Sequence, residues 1–196
     1  MQKARHPAAT ESPPQGVSLP PSLLAKLPKP ANEVLCLFSE PTSTVNAVGK
    51  ETSSKSKRWV KIPVAVDSGA QVNVTPKKVF GLDVDDSAPR QKLSGPDGKL
   101  IAHHGSQKAL GVTDDGRSVT IDFDVADVTR PLGSVSKLVK KNHQVVFDEE
   151  RSYIRNKKTG AEIDPREQQG LYFLDVWVQV PSDMAINELF ARHVQN

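Results

Sequence analysis

The sequence predicts a mainly β body behind a proline-rich segment, and two observations carry this prediction. The body opens with the alternating apolar period of a half-buried strand, at Val60, Ile62, Val64 and Val66. Glycine-containing turn signals at residues 94–98 and 114–116 then separate further short apolar runs, as they do in β-hairpins. Because short strands dominate the chain from residue 58 onwards, the body is expected to be mainly β.

The later elements follow from the same reasoning. Val72 and Val74 form a second alternating run, which Pro76 ends because proline cannot donate to a strand ladder. Helical spacing of apolar residues, followed by lysines and Asn142, predicts one helix over residues 134–141. Residues 181–196 predict a tail or a short amphipathic helix. The remaining strands are predicted, in chain order, at residues 91–93, 99–102, 108–112, 118–125, 145–147, 152–154 and 171–180.

Residues 1–57 differ from the rest in composition and charge. Eight of the 15 prolines lie there among serines and threonines, which predicts a disordered linker. Its one apolar island, residues 34–38, could add a strand to the body or bind a partner. The segment has seven basic and four acidic side chains, whereas the remaining 19 basic and 19 acidic side chains cancel. This neutral body argues against a nucleic-acid-binding domain.

Composition and hydropathy exclude several other classes of protein. Cys36 is the only cysteine, so neither an intramolecular disulfide nor a cysteine-based zinc cluster is expected. No apolar stretch approaches the ~20 residues that cross a bilayer. The first residues lack the apolar core of a secretory signal. We therefore expect a cytoplasmic protein without a membrane segment.

One constellation has a clear chemical meaning, Asp67-Ser68-Gly69-Ala70, directly after the apolar residues 64–66. Aspartic peptidase chemistry needs a carboxylate at the end of an apolar strand, in a tight loop that glycine permits. Two such carboxylates share one proton, because like charges so close cannot both ionise. One activates water and the other polarises the peptide carbonyl, while the neighbouring hydroxyl can orient the pair by hydrogen bonding. The alternative interpretation is an Asx-type turn between strands, which uses the same residue types.

The order of elements around Asp67 resembles that of retropepsin-like aspartic proteases. In that family a glycine-rich hairpin covers the substrate, and the matching positions here, about 30 residues after Asp67, are Gly95, Pro96, Asp97 and Gly98. Leu132-Gly133, 66 residues after Asp67, resembles the apolar-glycine segment that packs beneath the catalytic loop and leads into a helix. The match is partial there, because Pro131 stands where the family has an aliphatic residue.

A later series of motifs is similar to the polyproteins of copia-type LTR retrotransposons. Its members are Ser134-Val135-Ser136-Lys137-Leu138, Val145-Val146-Phe147-Asp148, Lys158-Thr159-Gly160 and Gly170-Leu171-Tyr172-x-Leu174. The resemblance covers roughly residues 58–178. It implies a disordered linker over 1–57, a retropepsin-like β-barrel over 58–144, a β-rich extension towards an integrase over 145–180, and a tail or short helix over 181–196.

The resemblance also implies an activity. It is that of an aspartic endopeptidase that processes a retroelement polyprotein in the cytoplasm, including virus-like particles, and needs no metal or organic cofactor. The chain has one such motif, so the second carboxylate would come from another copy in a homodimer. Two alternatives remain open: a non-catalytic domain that binds peptides in the same cleft, and an interaction segment of a polyprotein in which Asp67 is incidental.

Other candidate sites are weaker. Adjacent strand residues point to opposite faces, so His103 and His104 are expected to pack separately rather than share a metal ion. A cysteine peptidase built on Cys36 would place its nucleophile in the predicted linker. The acidic residues 148–150 lack EF-hand spacing and are expected to be solvated.

Overall fold

The structure is a computed structural model that describes residues 57–87 and 89–181, together with the backbone of residues 34–36. Strands account for 52% of the interpretable region and helix for 5%, which confirms the mainly β class. No helix in these ranges is long and apolar enough to cross a membrane. The predicted tail or helix beyond Pro181 lies outside the described residues.

The described ranges form thirteen strands and one helix. The helix, α1, spans Val135–Lys140, with Ser134 as its N-cap and Lys141 as its C-cap. The strands are β1 (Val34–Cys36), β2 (Lys57–Asp67), β3 (Val74–Thr75), β4 (Leu93–Ser94), β5 (Leu100–Ile101), β6 (His103–Thr113), β7 (Ser118–Ala126), β8 (Leu132–Ser134), β9 (His143–Val146), β10 (Tyr153–Asn156), β11 (Glu162–Ile163), β12 (Arg166–Gln168) and β13 (Leu171–Pro181).

Six strands close into a ring, in the order β2, β13, β6, β7, β3, β8 and back to β2. The longest pairing without a register shift is antiparallel and joins β2 to β13 over nine residue pairs, from Phe173–Ala65 to Pro181–Lys57. A parallel pairing of β2 with β8 closes the ring beside Asp67. Closure of this kind leaves an interior for apolar side chains, while the short strand β3 leaves the first part of the β7 edge open.

The interior is filled by alternate residues of these strands. Phe80 and Phe123 stack there with ring centroids 5.0 Å apart. Helix α1 contributes Leu138, which is fully buried. The strand residues of this core are Ile62, Val64 and Val66 from β2, Ala109 from β6, Val119, Ile121 and Phe123 from β7, and Leu174, Val176, Val178 and Val180 from β13.

Two parts of residues 1–57 are strands: one lies in the apolar island, for which an added strand is one of the two alternatives, and the other corrects the predicted linker at Lys57. Val34–Cys36 runs parallel to β7, with Val34 opposite Ser118 and Cys36 opposite Thr120. Lys57 is the first residue of β2. The physical reason for β1 is that this apolar island finds a free edge of β7, beside the part that β3 occupies. The rest of residues 1–57 lies outside the described residues.

The stretch 145–180, expected as an extension, supplies β13 to the same ring as β2. Four consecutive pairs join β9 and β10, and with β11 these strands form a separate three-stranded sheet. Ile154 and Ile163 from that sheet are buried in the same core as β2 and β13. The body and the stretch 145–180 therefore share one hydrophobic core.

The pairing of β1 predicts how truncation affects stability. Removing residues 1–33 is expected to leave the melting temperature unchanged, because their sequence predicts little packing. Removing residues 1–36 should cost ~1 kcal/mol or more in lost ladder bonds, which lowers the melting temperature by roughly 2–8 °C. Thermal unfolding of the two truncated chains measures the difference. Equal melting temperatures would show that β1 does not stabilise the body.

His143 gives the fold a predicted weakness in acid. Its side chain is 1% exposed, and neither ring nitrogen has a hydrogen-bond partner of good geometry in the described part of the chain. Burial lowers the pKa of His143 below its ordinary value, and the nearby backbone of Leu138 and Lys141 only partly opposes this shift. The unfolded chain binds a proton near pH 6.5, so His143 does not disfavour folding above that pH and destabilises the folded state as the pH falls below it.

The His143→Leu variant should therefore flatten the acid side of the stability profile. The histidine can contribute a slope of at most about 1.4 kcal/mol per pH unit below pH 6.5. Urea unfolding between pH 5 and pH 8 measures this slope, with His104→Leu as the control for a partly exposed histidine. An unchanged slope in the His143→Leu variant would show that this residue does not cause the loss of stability in acid.

Candidate active site

Asp67 is the last residue of β2, and the sequence folds this way because the strand before it is apolar. Val64, Ala65 and Val66 are buried, whereas Asp67 is half-buried. Ser68 and Gly69 are exposed, and Ala70 is half-buried. The carboxylate is thus held at the boundary between an apolar strand end and solvent.

The loop fixes one oxygen of the Asp67 carboxylate. Oδ1 accepts a hydrogen bond from the Gly69 N–H at 2.7 Å. A Cβ atom at Gly69 would lie 3.3 Å from the same oxygen, so a side chain there would crowd the carboxylate. Within the described residues, no hydrogen bond or ion pair engages Oδ2. One oxygen is therefore oriented, and the other remains available for a proton or a water molecule.

The segment containing Leu132 and Gly133 lies directly beside the Asp67 loop. In the parallel pairing of β8 with β2, Leu132 is opposite Ala65, Gly133 is opposite Val66 and Ser134 is opposite Asp67. The Ala65 N–H also donates to the Pro131 carbonyl at 3.0 Å. Pro131, the position that departs from the family pattern, therefore accepts a ladder bond, which proline can do because it retains its carbonyl.

Two buried side chains hold the far end of the loop, and the sequence analysis did not assign either to the site. Ser134 Oγ donates to the Ala70 carbonyl at 2.6 Å and accepts from the Lys137 N–H at the start of α1 at 3.4 Å. Asn73 Oδ1 accepts from the Ser134 N–H at 2.9 Å, and Asn73 Nδ2 donates to the Asp122 carbonyl at 2.9 Å. The sequence feature that could have indicated Ser134 is its position as the N-cap of the predicted helix. Its hydroxyl connects the start of α1 to the Asp67 loop.

The predicted hairpin forms, and its tip is a tight turn. The Gly95 N–H donates to the Lys99 carbonyl and the Gly98 N–H donates to the Gly95 carbonyl, each at 2.9 Å. Gly98 has a φ of 76°, in the left-handed region that glycine accepts without strain. Pro96, Asp97 and Gly98 are exposed and Gly95 is half-buried, so the hairpin projects from the body.

Two carboxylates that could serve as a second acid within one chain are engaged elsewhere. Hydrogen bonds from Lys99 lower the pKa of Asp97, which stays at the hairpin tip and forms an ion pair with Lys99 at 2.9 Å. Asp127 Oδ1 lies 2.6 Å from the ring of His104. In the described residues, no hydrogen bond or ion pair brings another carboxylate to Asp67.

The described surface offers no competing group of metal ligands. No group of three or more metal-ligating side chains occurs among residues 34–36, 57–87 and 89–181. His103 and His104 contact different carboxylates, Asp124 and Asp127. Three grooves of about 670, 350 and 560 Å³ lie elsewhere on the described surface, and Asp67 lines none of them.

The comparisons with known proteins add no relative: no family model, curated protein or solved structure matches the chain.

Ser134 provides a test of the loop geometry. Ser134→Ala removes the donor to Ala70 and the N-cap of α1, and should cost about 1–2 kcal/mol of stability. Ser134→Thr keeps the hydroxyl and should cost less. Chemical unfolding of both variants measures the difference, with Ser94→Ala as a control because Ser94 is exposed and lies outside the Asp67 loop, whereas the Ser136 hydroxyl lies 2.9 Å from Ser134 Oγ. Equal losses for the alanine and threonine variants at Ser134 would show that packing, rather than the hydroxyl, matters there.

Proposed function

We propose that the chain is an aspartic endopeptidase that processes a retroelement polyprotein as a homodimer in the cytoplasm, including virus-like particles. The observation that carries this proposal is the placement of Asp67. It ends a buried strand, has one carboxylate oxygen oriented by Gly69, and has Ser134 of the parallel strand β8 directly opposite. The glycine-rich hairpin between β4 and β5 supports the proposal as a candidate cover for a bound peptide.

The proposed reaction is hydrolysis by two Asp67 carboxylates that share one proton. The ionised carboxylate takes a proton from water as the water oxygen attacks the peptide carbonyl. The protonated carboxyl donates its proton to the carbonyl oxygen, which gives a tetrahedral diol. Proton transfer to the amide nitrogen then releases the amine and the new carboxylic acid. The Asp67 pair returns to its starting state without a metal ion or an organic cofactor.

The same geometry supports the homodimer of this proposal. Oδ2 of Asp67 has no partner among the described residues, and the other carboxylates considered, Asp97 and Asp127, are bound elsewhere. Asp67 also lies outside the three described grooves, and in this proposal a second copy supplies both the other carboxylate and the opposing wall. A two-fold axis beside Asp67 provides both at once.

A second candidate function is peptide binding without cleavage. The bond from the Gly69 N–H to Asp67 Oδ1 is also the bond that defines an Asx turn, so a structural role accounts for it equally well. In that case the chain is an inactive peptide-binding or interaction fragment of a retrotransposon polyprotein.

Mass spectrometry of the purified chain after incubation near pH 5 separates the two candidates. The peptidase proposal predicts new peptide termini that accumulate with time and are absent from the Asp67→Asn variant. Circular dichroism at the same pH must confirm folding, because buried His143 is expected to destabilise the folded state in acid. Identical fragments from both chains would indicate a contaminating protease, and an intact, folded and dimeric wild-type chain would favour peptide binding.

A further inference from the structure

His103 lies at the base of the hairpin, and its ring, rather than a backbone carbonyl, accepts the hydrogen bond from the opposite strand. Leu93 pairs with Ile101 in the antiparallel hairpin, so the same register continued by two residues places Gln91 opposite His103. The Gln91 N–H donates to the Nδ1 atom of His103 at 3.3 Å. The guanidinium of Arg90 donates to the backbone carbonyl of the same residue. One histidine therefore holds the incoming strand of the hairpin through its ring and through its backbone.

These contacts fix the tautomer of His103. A ring nitrogen that accepts a hydrogen bond carries no proton, so the proton of the neutral ring is on Nε2. Nε2 then donates to Asp124 Oδ1, which lies 3.1 Å away. The His103 side chain is 2% exposed and that of Asp124 is 17% exposed, so water competes little for either bond.

The contacts continue from Asp124 to the Asp67 loop. The Asp124 N–H donates to the Asn73 carbonyl at 2.9 Å. Asn73 Oδ1 accepts from the Ser134 N–H at 2.9 Å, and Ser134 Oγ donates to the Ala70 carbonyl at 2.6 Å. Ala70 follows Gly69, whose N–H holds Asp67. A continuous series of hydrogen bonds therefore runs from the base of the hairpin to the loop of the candidate catalytic residue.

We propose that His103 is a positioning residue that couples the hairpin to the Asp67 loop through Asp124, Asn73 and Ser134. This inference rests on the proposed function for its purpose, since a peptidase gains if closure of the hairpin over a substrate also fixes the loop. The coupling itself is a property of the fold and exists whether or not the chain cleaves peptides. It requires an acceptor at the position of Nδ1 and a donor at the position of Nε2, and the rigid imidazole ring supplies both.

Matched substitutions remove the hydrogen bonds of the two ring nitrogens one at a time. His103→Asn places an amide oxygen near the position of Nδ1, so it can keep the bond to Gln91 while it loses Asp124. His103→Gln places an amide nitrogen near the position of Nε2, so it can keep the bond to Asp124 while it loses Gln91. His104→Asn, at the neighbouring and less buried histidine, is the control.

Backbone amide exchange followed by NMR tests the coupling without any peptidase assay. The amide of Ser134 reports the far end, because its N–H is buried against Asn73. We expect both His103 variants to speed exchange at Ser134 at least threefold, because each breaks the series at one side of the ring. Exchange at Gln91 should rise in the glutamine variant alone, and the control should change neither amide.

A second variant keeps the proposal testable if the His103 substitutions unfold the protein. Gln91→Pro removes the backbone N–H that His103 accepts, together with the exposed side chain of Gln91. We expect it to speed exchange at Ser134 in the wild-type background. Unchanged exchange at Ser134 in folded Gln91→Pro or His103→Gln protein would overturn the coupling. If the wild-type chain cleaves itself but these variants leave exchange at Ser134 unchanged, only this inference is refuted. If the variants speed exchange at Ser134 but the wild-type chain never cleaves peptides, only the peptidase proposal is refuted.

Discussion

Replacing Asp67 with asparagine is expected to reduce peptidase activity by roughly 10³-fold or more, because the amide cannot accept a proton from water. The fold should survive, since the asparagine oxygen can still accept the Gly69 N–H that Asp67 Oδ1 accepts at 2.7 Å. The measurement is the cleavage rate of a peptide that contains a self-processing site, together with the melting temperature of each chain.

Matched controls come from the other candidate carboxylates. Asp97→Asn and Asp127→Asn remove carboxylates that contact Lys99 and His104 rather than Asp67. Both should retain activity within a few-fold of the wild type. Wild-type activity in the Asp67→Asn variant would remove Asp67 from the mechanism, and a loss in the Asp127→Asn variant would direct attention to a second carboxylate in the same chain.

Dilution is expected to lower the specific activity of the wild-type protein steeply. If each chain supplies one carboxylate, active enzyme below the dimer dissociation constant grows with the square of chain concentration. The measurement is initial rate against concentration, compared with the dimer fraction from analytical ultracentrifugation. A constant specific activity from a monomer would contradict the shared pair.

Mixing wild-type and Asp67→Asn chains tests the same sharing in a different way. Mixed dimers hold one carboxylate and one amide, so they should be inactive. With equal amounts of the two chains at a fixed total concentration and random pairing, activity should fall to about one quarter. Asp97→Asn chains mixed in the same ratio serve as the control. A fall to one half would indicate that each chain acts independently.

The positions of many strands, turns and the helix along the chain could be predicted from local sequence. The alternating residues of β2, the glycine-containing turns after β4 and β6, and the capped helix after Ser134 each depend on neighbouring residues, and the structure contains all of them. Closure of the ring could not be predicted in this way. The pairing of β13 with β2 joins residues more than 100 positions apart, and side-chain alternation does not specify which strands become neighbours.

The candidate site also combines residues that local sequence predicts with residues that only the fold brings together. Asp67, Gly69 and the Leu132-Gly133 segment have local sequence signatures, whereas Asn73 and Ser134 meet only because β3 and β8 are brought together by the fold. The His103 contacts likewise depend on a continued hairpin register and on Asp124 of β7. A single asparagine or histidine in a sequence does not reveal which distant backbone group it will bind.

Isothermal titration with a pepstatin-like inhibitor is the most direct test of a shared Asp67 pair, because the inhibitor's hydroxyl mimics the tetrahedral intermediate between two carboxylates. We expect binding at acidic pH with one inhibitor per two chains, and no binding to the Asp67→Asn variant. Binding of one inhibitor per chain, or no binding to a folded wild-type dimer, would contradict an active site shared across the Asp67 pair.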